Sequence, residues 1–292
     1  GIGKGSGAAP GDRTGRKSVK ARLALEQYFR ERPPMAVAVS GGVDSMTLAV
    51  LAHRVQPATL IFHAISPAVP FQATDRVKLH AKLEGWQLKI IDAGEMEDPQ
   101  YLANPANRCY FCKTNLYDRV VENTMLAVAS GTNLDDLGEY RPGLIAAQEH
   151  QVCHPYVEVG IDKSTLRDVA DDLGLEDLKD LPAAPCLSSR VTTGIAIDAS
   201  LLPVINEVEE ILRKQLTGQY ALQGVRCRIR EGEVAIQLES SADIRFFSGQ
   251  FDESAAVVRE LFVHAGFPSQ VQTVVFEPYE KGSAFLIETL DV

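Results

Sequence analysis

The segment AVSGGVDS, ending at Ser45, lies between a short apolar run, MAVAVS (35–40), and a helical pattern, DSMTLAVLAHRV. Gly41 and Gly42 carry no side chain, so the backbone there can turn tightly and approach a ligand. Amide N–H groups converge at the helix start, where the dipole favours an anion. Ser40 and Ser45 add hydroxyl donors. Ser40, Gly41, Gly42, Val43, Asp44 and Ser45 therefore form a candidate phosphate loop. Asp44 either caps the helix or holds a Mg²⁺ that bridges phosphates. A second turn, Gly131-Thr132-Asn133, ends another apolar run in ASGTNLDDLGEYRPG. Ligands of parallel sheets lie at the carboxyl ends of strands, so this turn should face the same ligand. Asp135 and Asp136 follow it and would orient a ribose, a metal or a nearby arginine, or simply cap a helix.

The thiols pose a separate question. NRCYFCKTN (107–115) puts Cys109 and Cys112 three positions apart in a chain of five cysteines. Cys186 sits in the proline-bracketed APCLSSR, four residues before Arg190. A structural zinc site needs four ligands, with Cys153 or His154 in QVCHPY as a fourth. A redox pair needs only Cys109 and Cys112, without the thioredoxin-like context such pairs usually have. Three thiolates instead suit a [4Fe–4S] cluster with one iron left open.

In GVRCRIREGE, Arg226, Arg228 and Arg230 are spaced by two and share one face of a strand. Three like charges in a row want an anion opposite, or they form a solvated edge strand. Cys227 points the other way and reads as a small buried hydrophobe. Glu209, Glu210, Glu233 and Glu239 are candidate metal ligands, with surface charge the plainer reading. Trp86 is expected in the core, and the six histidines form no catalytic pattern.

The elements that must position these groups alternate. Helical patterns at VKARLALEQYFRE, DSMTLAVLAHRV, FQATDRVKLHAKLEG, YDRVVENTM and KSTLRDVADDLGL interleave with apolar runs at MAVAVS, ATLIFHAIS, WQLKIIDAG and LAVASGT. That order predicts an α/β fold, a doubly wound parallel sheet covered on both faces. After residue 197 the pattern changes. A helix, LLPVINEVEEILRKQL, precedes the period-two run GVRCRIREGEVAIQLE, a second helix and a last strand, QVQTVVFEP. This predicts a smaller C-terminal α+β domain over 198–292, after a first domain over 18–197. Residues 1–17 are Gly-rich and basic and read as a flexible tail. Their GIGKGS has the wrong spacing for a Walker loop.

The chain has 292 residues, 45% hydrophobic and 23% charged, and a net charge of −10. Such acidity disfavours broad nucleic-acid binding. No apolar run has the length to span a bilayer, and the N-terminus shows no signal-peptide pattern. An odd, low cysteine count points to a reducing, cytoplasmic setting.

Ser-Gly-Gly-x-Asp-Ser resembles the PP-loop of the ATP pyrophosphatases, which cleave ATP between its α and β phosphates. Taken with NRCYFCKT, SGTNLDDLGEYRPG, PCLSSR and VRCRIR, and more weakly YEKGSAF, the chain is similar to the LarE family of ATP-dependent sulfur transferases. These stretches run from about residue 35 to 230. The resemblance implies a substrate, pyridinium-3,5-biscarboxylate mononucleotide, whose carboxylates are adenylated and converted to thiocarboxylates on the way to the nickel-pincer nucleotide. It implies ATP and Mg²⁺ at Ser40–Ser45 with Gly131, Thr132, Asn133 and Asp136. Asp44, Cys186 and Arg190 would carry the chemistry, Arg190 by stabilising phosphate or developing charge. Arg226 and Arg228 would bind the substrate phosphate at a subunit interface of a homo-oligomer, of which a hexamer is one form. Some members sacrifice the cysteine matching Cys186. Others hold a [4Fe–4S] cluster with three thiolates. Because Cys109, Cys112 and Cys186 are all present, the cluster form is expected, with an unidentified sulfur donor.

Three other readings compete. A tRNA thiolase of the same superfamily would want a basic, aromatic-lined surface that the composition does not suggest. An amide-forming ligase would leave the cysteines unexplained. A zinc-containing nucleotide sensor would turn over no ATP.

Overall fold

The computed structural model of the chain describes residues 10–243 and 249–280. The expectations for residues 1–9 and for most of YEKGSAF lie outside the described residues. The chain divides into two compact units, one of 1–65, 71–93 and 112–184, the other of 66–70, 94–111 and 185–292. Segments that follow the second and third strands in sequence thus belong to the second unit.

The first unit opens with helix α1 (Pro10–Arg30). It takes in residues 10–17, which composition placed in the tail. Proline is tolerated in a first helical turn, and the arginines and lysines that follow are good helix formers. Strand β1 (Ala36–Ala38) leads through the glycine loop into α2 (Val43–Val55). β2 (Leu60–Ile65), α3 (Phe71–Glu84) and β3 (Gln87–Asp92) follow. Gly85 closes α3 at φ +70°, the left-handed C-terminal position expected of it. A short α4 (Pro99–Leu102), which belongs to the second unit, precedes α5 (Arg108–Asn123), whose first turn belongs there too, and β4 is Val128–Ala129. α6 (Pro142–Glu149), α7 (Pro155–Glu158) and α8 (Lys163–Asp172) complete the unit.

The four strands are parallel and ordered β3-β2-β1-β4. The parallel sheet flanked by helices is the α/β fold that the alternation of elements predicts. Helix α2 is apolar almost all round, with Met46 to Ala52 buried, because α1, α3 and α8 pack against it. Leu25, Phe29, Tyr156, Leu166 and Trp86 join this core. The edge strand β3 is more open, with Lys89 and Ile90 exposed.

The second unit carries α9 (Leu202–Leu216), β5 (Leu222–Arg230), β6 (Glu233–Ser240), α10 (Asp252–His264) and β7 (Thr273–Pro278). The sheet is mixed: β5 and β6 pair antiparallel, β6 and β7 parallel. The parallel pair needs a crossover, and α10 lies within that connection. Val225, Cys227 and Ile229 alternate into the core. Among the described residues no helix is long and apolar enough to cross a membrane.

Candidate functional site

Strand β1 pairs β2 on one side and β4 on the other. The chain order reverses there, and such a reversal opens a crevice beyond the carboxyl ends of the strands. Both candidate turns leave from it. Gly41 has φ +88°, and a side-chain carbon there would stand 2.8 Å from the Ala73 carbonyl oxygen. A side-chain carbon on Gly131 would come within 2.7 Å of the Ser45 backbone nitrogen. Only glycine lets the β4 turn lie directly on the first turn of α2. Gly42 is the N-cap of α2, and no side chain caps that helix. Of the two roles expected of Asp44, capping this helix is not the one seen. The Ser40 amide donates to Ser45 Oγ at 3.0 Å, and Arg76 from α3 donates to the Gly41 carbonyl at 2.9 Å.

Lys163 places its Nζ 2.6 Å from both carboxylate oxygens of Asp44. It starts α8, where the helix dipole disfavours a cation. That mismatch is the one local signal in the sequence that Lys163 has a task elsewhere. Asn133 Nδ2 approaches Asp44 Oδ1 at 3.5 Å, and the Tyr156 hydroxyl donates to the Asp44 carbonyl at 2.8 Å. Burial, then the Asp44 charge, raise the Tyr156 phenol well above its ordinary value, so it stays a donor. Asn133 and Asp136 form a reciprocal helix cap, and Asp136 also pairs with Arg141 at 3.0 Å. The capping and the arginine-orienting alternatives are therefore both seen for Asp136. Thr132 Oγ1 lies 2.9 Å from Ser130 Oγ, which lies 2.9 Å from His154 Nδ1. His154 is thus held by a hydroxyl, and burial lowers its pKa. His63, buried beneath the loop, has Nδ1 2.9 Å from the Val39 carbonyl. A carbonyl only accepts, so Nδ1 carries the proton; burial keeps the ring neutral.

None of the five cysteines is in a disulfide. Cys109 and Cys112 stand one turn apart at the start of α5, on the same face. Cys109 is exposed, Cys112 and Cys186 half-buried. Burial raises the Cys153 and Cys227 thiols, which makes both poor thiolates, and Cys227 is fully buried as its strand position implied. Among the described residues no three His, Cys, Asp or Glu side chains are placed to hold a metal ion.

Within the second unit, Cys186 precedes a 3-10 turn, Leu187–Arg190. The Leu187 amide donates to the Ala68 carbonyl at 2.8 Å, and Ser189 Oγ to the Cys186 carbonyl at 2.7 Å. Arg190 is buried, and its guanidinium grips Glu209 at 2.6 and 3.0 Å. Two expectations change here. Glu209 is a buried ion-pair partner instead of a surface charge, and it also accepts the Cys227 amide at 2.8 Å. Arg190 is committed to that pair and to the Pro185 carbonyl, so it braces the cysteine turn. The reason is desolvation: a buried guanidinium without a carboxylate would cost several kcal/mol.

Arg228 is buried, donating to the Ser189 carbonyl at 2.5 Å and to Gln237 Oε1 at 3.2–3.3 Å. Among the described residues it has no carboxylate partner. Burial, then Arg190 and Arg226, lower its pKa to about 10. Arg226 lies over the Tyr279 ring at 4.4 Å. Arg230 differs: it is paired with Glu277 and Glu233. Glu233 is thereby accounted for, as is Glu210 by Arg213 and Lys214.

The chain is 34% identical over 264 residues to the uncharacterized protein slr1717 of Synechocystis sp., covering 88% of this chain and 94% of that one. It is 27% identical over 228 residues to the uncharacterized protein MJ0830 of Methanocaldococcus jannaschii, 77% of this chain and 84% of the relative. It is 25% identical over 198 residues to the pyridinium-3,5-bisthiocarboxylic acid mononucleotide synthase of Lactiplantibacillus plantarum, 66% of this chain and 71% of that synthase. No protein-family model matches the chain. At that identity and coverage the chain belongs to the family of slr1717, and it is distantly similar to the synthase.

Proposed function

We propose that the chain is an ATP-dependent sulfur transferase that converts the carboxylates of pyridinium-3,5-biscarboxylate mononucleotide to thiocarboxylates. The name of the Lactiplantibacillus relative supports the substrate class. One observation carries the ATP reading: Gly131 packs on the Ser45 amide at the sheet's switch point, beside an α2 start that no side chain caps. Uncapped amides in that position favour a polyphosphate.

A carboxylate oxygen is a poor leaving group, and adenylation replaces it with AMP. The substrate carboxylate attacks the α-phosphorus as the bond to pyrophosphate breaks. Lys163 and Arg76 bring positive charge to the loop, where charge develops on the departing pyrophosphate. Asp44 is the hard carboxylate that would hold Mg²⁺, which would neutralise phosphate charge there. The pyridinium nucleotide's own phosphate would sit on Arg226 and Arg228, which among the described residues have no carboxylate ion-pair partner. This reading includes a homo-oligomer. In this reading the sulfur associated with Cys186 forms a bond to the acyl carbon as the acyl C–O bond breaks and AMP leaves with its electron pair. Cys109, Cys112 and Cys186 are the right donor type for a [4Fe–4S] cluster, which would supply a renewable sulfide.

The test is purification without oxygen, with iron, sulfide and pyrophosphate release measured. About four irons per chain, lost on changing Cys109, Cys112 or Cys186 to Ser, is the expected result. Iron-free protein whose Cys186 loses the mass of H₂S after turnover would mean a sacrificial cysteine. Zinc content with no pyrophosphate release would overturn the enzyme reading in favour of a sensor.

A further inference from the structure

Asn104 is fully buried and has φ +54°, a left-handed conformation that asparagine tolerates better than most residues. Its side-chain nitrogen donates to the carbonyls of Val191, Thr192 and Ile195 at 3.3, 3.0 and 2.9 Å. Its backbone carbonyl accepts the Gly194 amide at 2.9 Å. Its side-chain oxygen accepts from Arg108, itself buried, the residue immediately before Cys109. A carboxamide supplies the two N–H donors and the acceptor oxygen that this arrangement uses. Two neighbours reinforce the join. The Tyr101 hydroxyl lies 2.6 Å from Ser188 Oγ, two residues past Cys186, and the Ile197 amide donates to the Leu102 carbonyl at 2.8 Å. All of these residues lie in the second compact unit.

We propose that Asn104 is a positioning residue of the sulfur-delivering site. It locks the start of α5, which carries Cys109, to the strap after Cys186, so that the two cysteines keep one register. Every bond of this lock joins groups of the chain itself. Its role in sulfur delivery rests on the function proposed above. A displacement of about 1 Å at a reacting group can cost on the order of 10²-fold in rate, so a buried lock of this kind has a catalytic consequence.

The test uses Asn104→Gly, which keeps the left-handed backbone and deletes the amide, and Asn104→Asp, which keeps the shape and sets an acceptor against three carbonyls. Tyr101→Phe serves as the milder change. In full-length chains with Cys112 and Cys153 changed to Ser, a bis-alkylating bimane reports joint reaction of Cys109 and Cys186 without ATP or substrate. Cross-linking is expected in the parent and lost in both Asn104 variants, while single alkylation of each thiol persists. With the native cysteines restored, the Asn104 variants should keep ATP-dependent pyrophosphate release and lose sulfur transfer on the order of 10²-fold. A parent chain that does not cross-link, or an Asn104→Gly chain that cross-links like its parent, overturns the proposal. Loss of cross-linking together with pyrophosphate release would show general unfolding and overturn a positioning role. A parent that cross-links but releases no pyrophosphate would sink the sulfur-transferase reading and leave the lock standing.

Discussion

Asp44 and Lys163 are 119 positions apart, and their contact sets the charge balance of the glycine loop after β1. Lys163→Ala should lower ATP-dependent pyrophosphate release by about 10²-fold, with Cys186 alkylation unchanged. Equal release rates in the variant and the parent would remove Lys163 from the mechanism. Arg190 and Glu209 form the other decisive pair. Glu209→Ala leaves a buried guanidinium unpaired and should destabilise the chain by about 3–5 kcal/mol, measured by urea unfolding. These pairings were not legible in the sequence. Glu209 sits in a helical run beside Glu210, and nothing in their spacing tells the buried carboxylate from the exposed one. The glycines were legible, because a turn that brings backbone to a ligand asks for a residue without a side chain.

Helix α8 is the element that delivers Lys163. Asp162 caps it, accepting the Thr165 amide at 2.8 Å, and that hydrogen bonding depresses its pKa below 3.8. A carboxylate with a depressed folded pKa stabilises the fold above its unfolded value and loses that contribution as pH falls. Asp162→Ala should therefore cost about 0.5–2 kcal/mol at neutral pH, and less as the pH falls through the depressed folded pKa of Asp162. The β4 turn is the matching element. Gly131→Ala must push the turn off α2, and it should cost about 1–3 kcal/mol and weaken ATP binding, read by thermal unfolding with and without nucleotide. At this scale the hydrophobic rhythm was enough to place strands and helices in order. It missed that the first helix begins at Pro10, because Gly11, Asp12, Thr14 and Gly15 have low helix propensity.

Across the whole chain, MgATP at about 100 times its dissociation constant should stabilise the protein by about 2.7 kcal/mol. Hydrogen-exchange protection should gather at residues 40–45 and 131–136 and spare 226–228; protection confined to the arginine strand would place the nucleotide elsewhere. The sequence alone determined the α/β class, the glycine turn after β1 and the run of arginines along β5, because each rests on residue type at short spacing. Tertiary structure alone decided which charges are paired, that segments after β2 and β3 join the second unit, and that Asn104 ties the Cys109 helix to the Cys186 strap. The physical reason is range. Backbone turns and amphipathic faces are set by neighbours a few residues away. Burial and ion pairing depend on which distant segments meet, and only the folded chain specifies that.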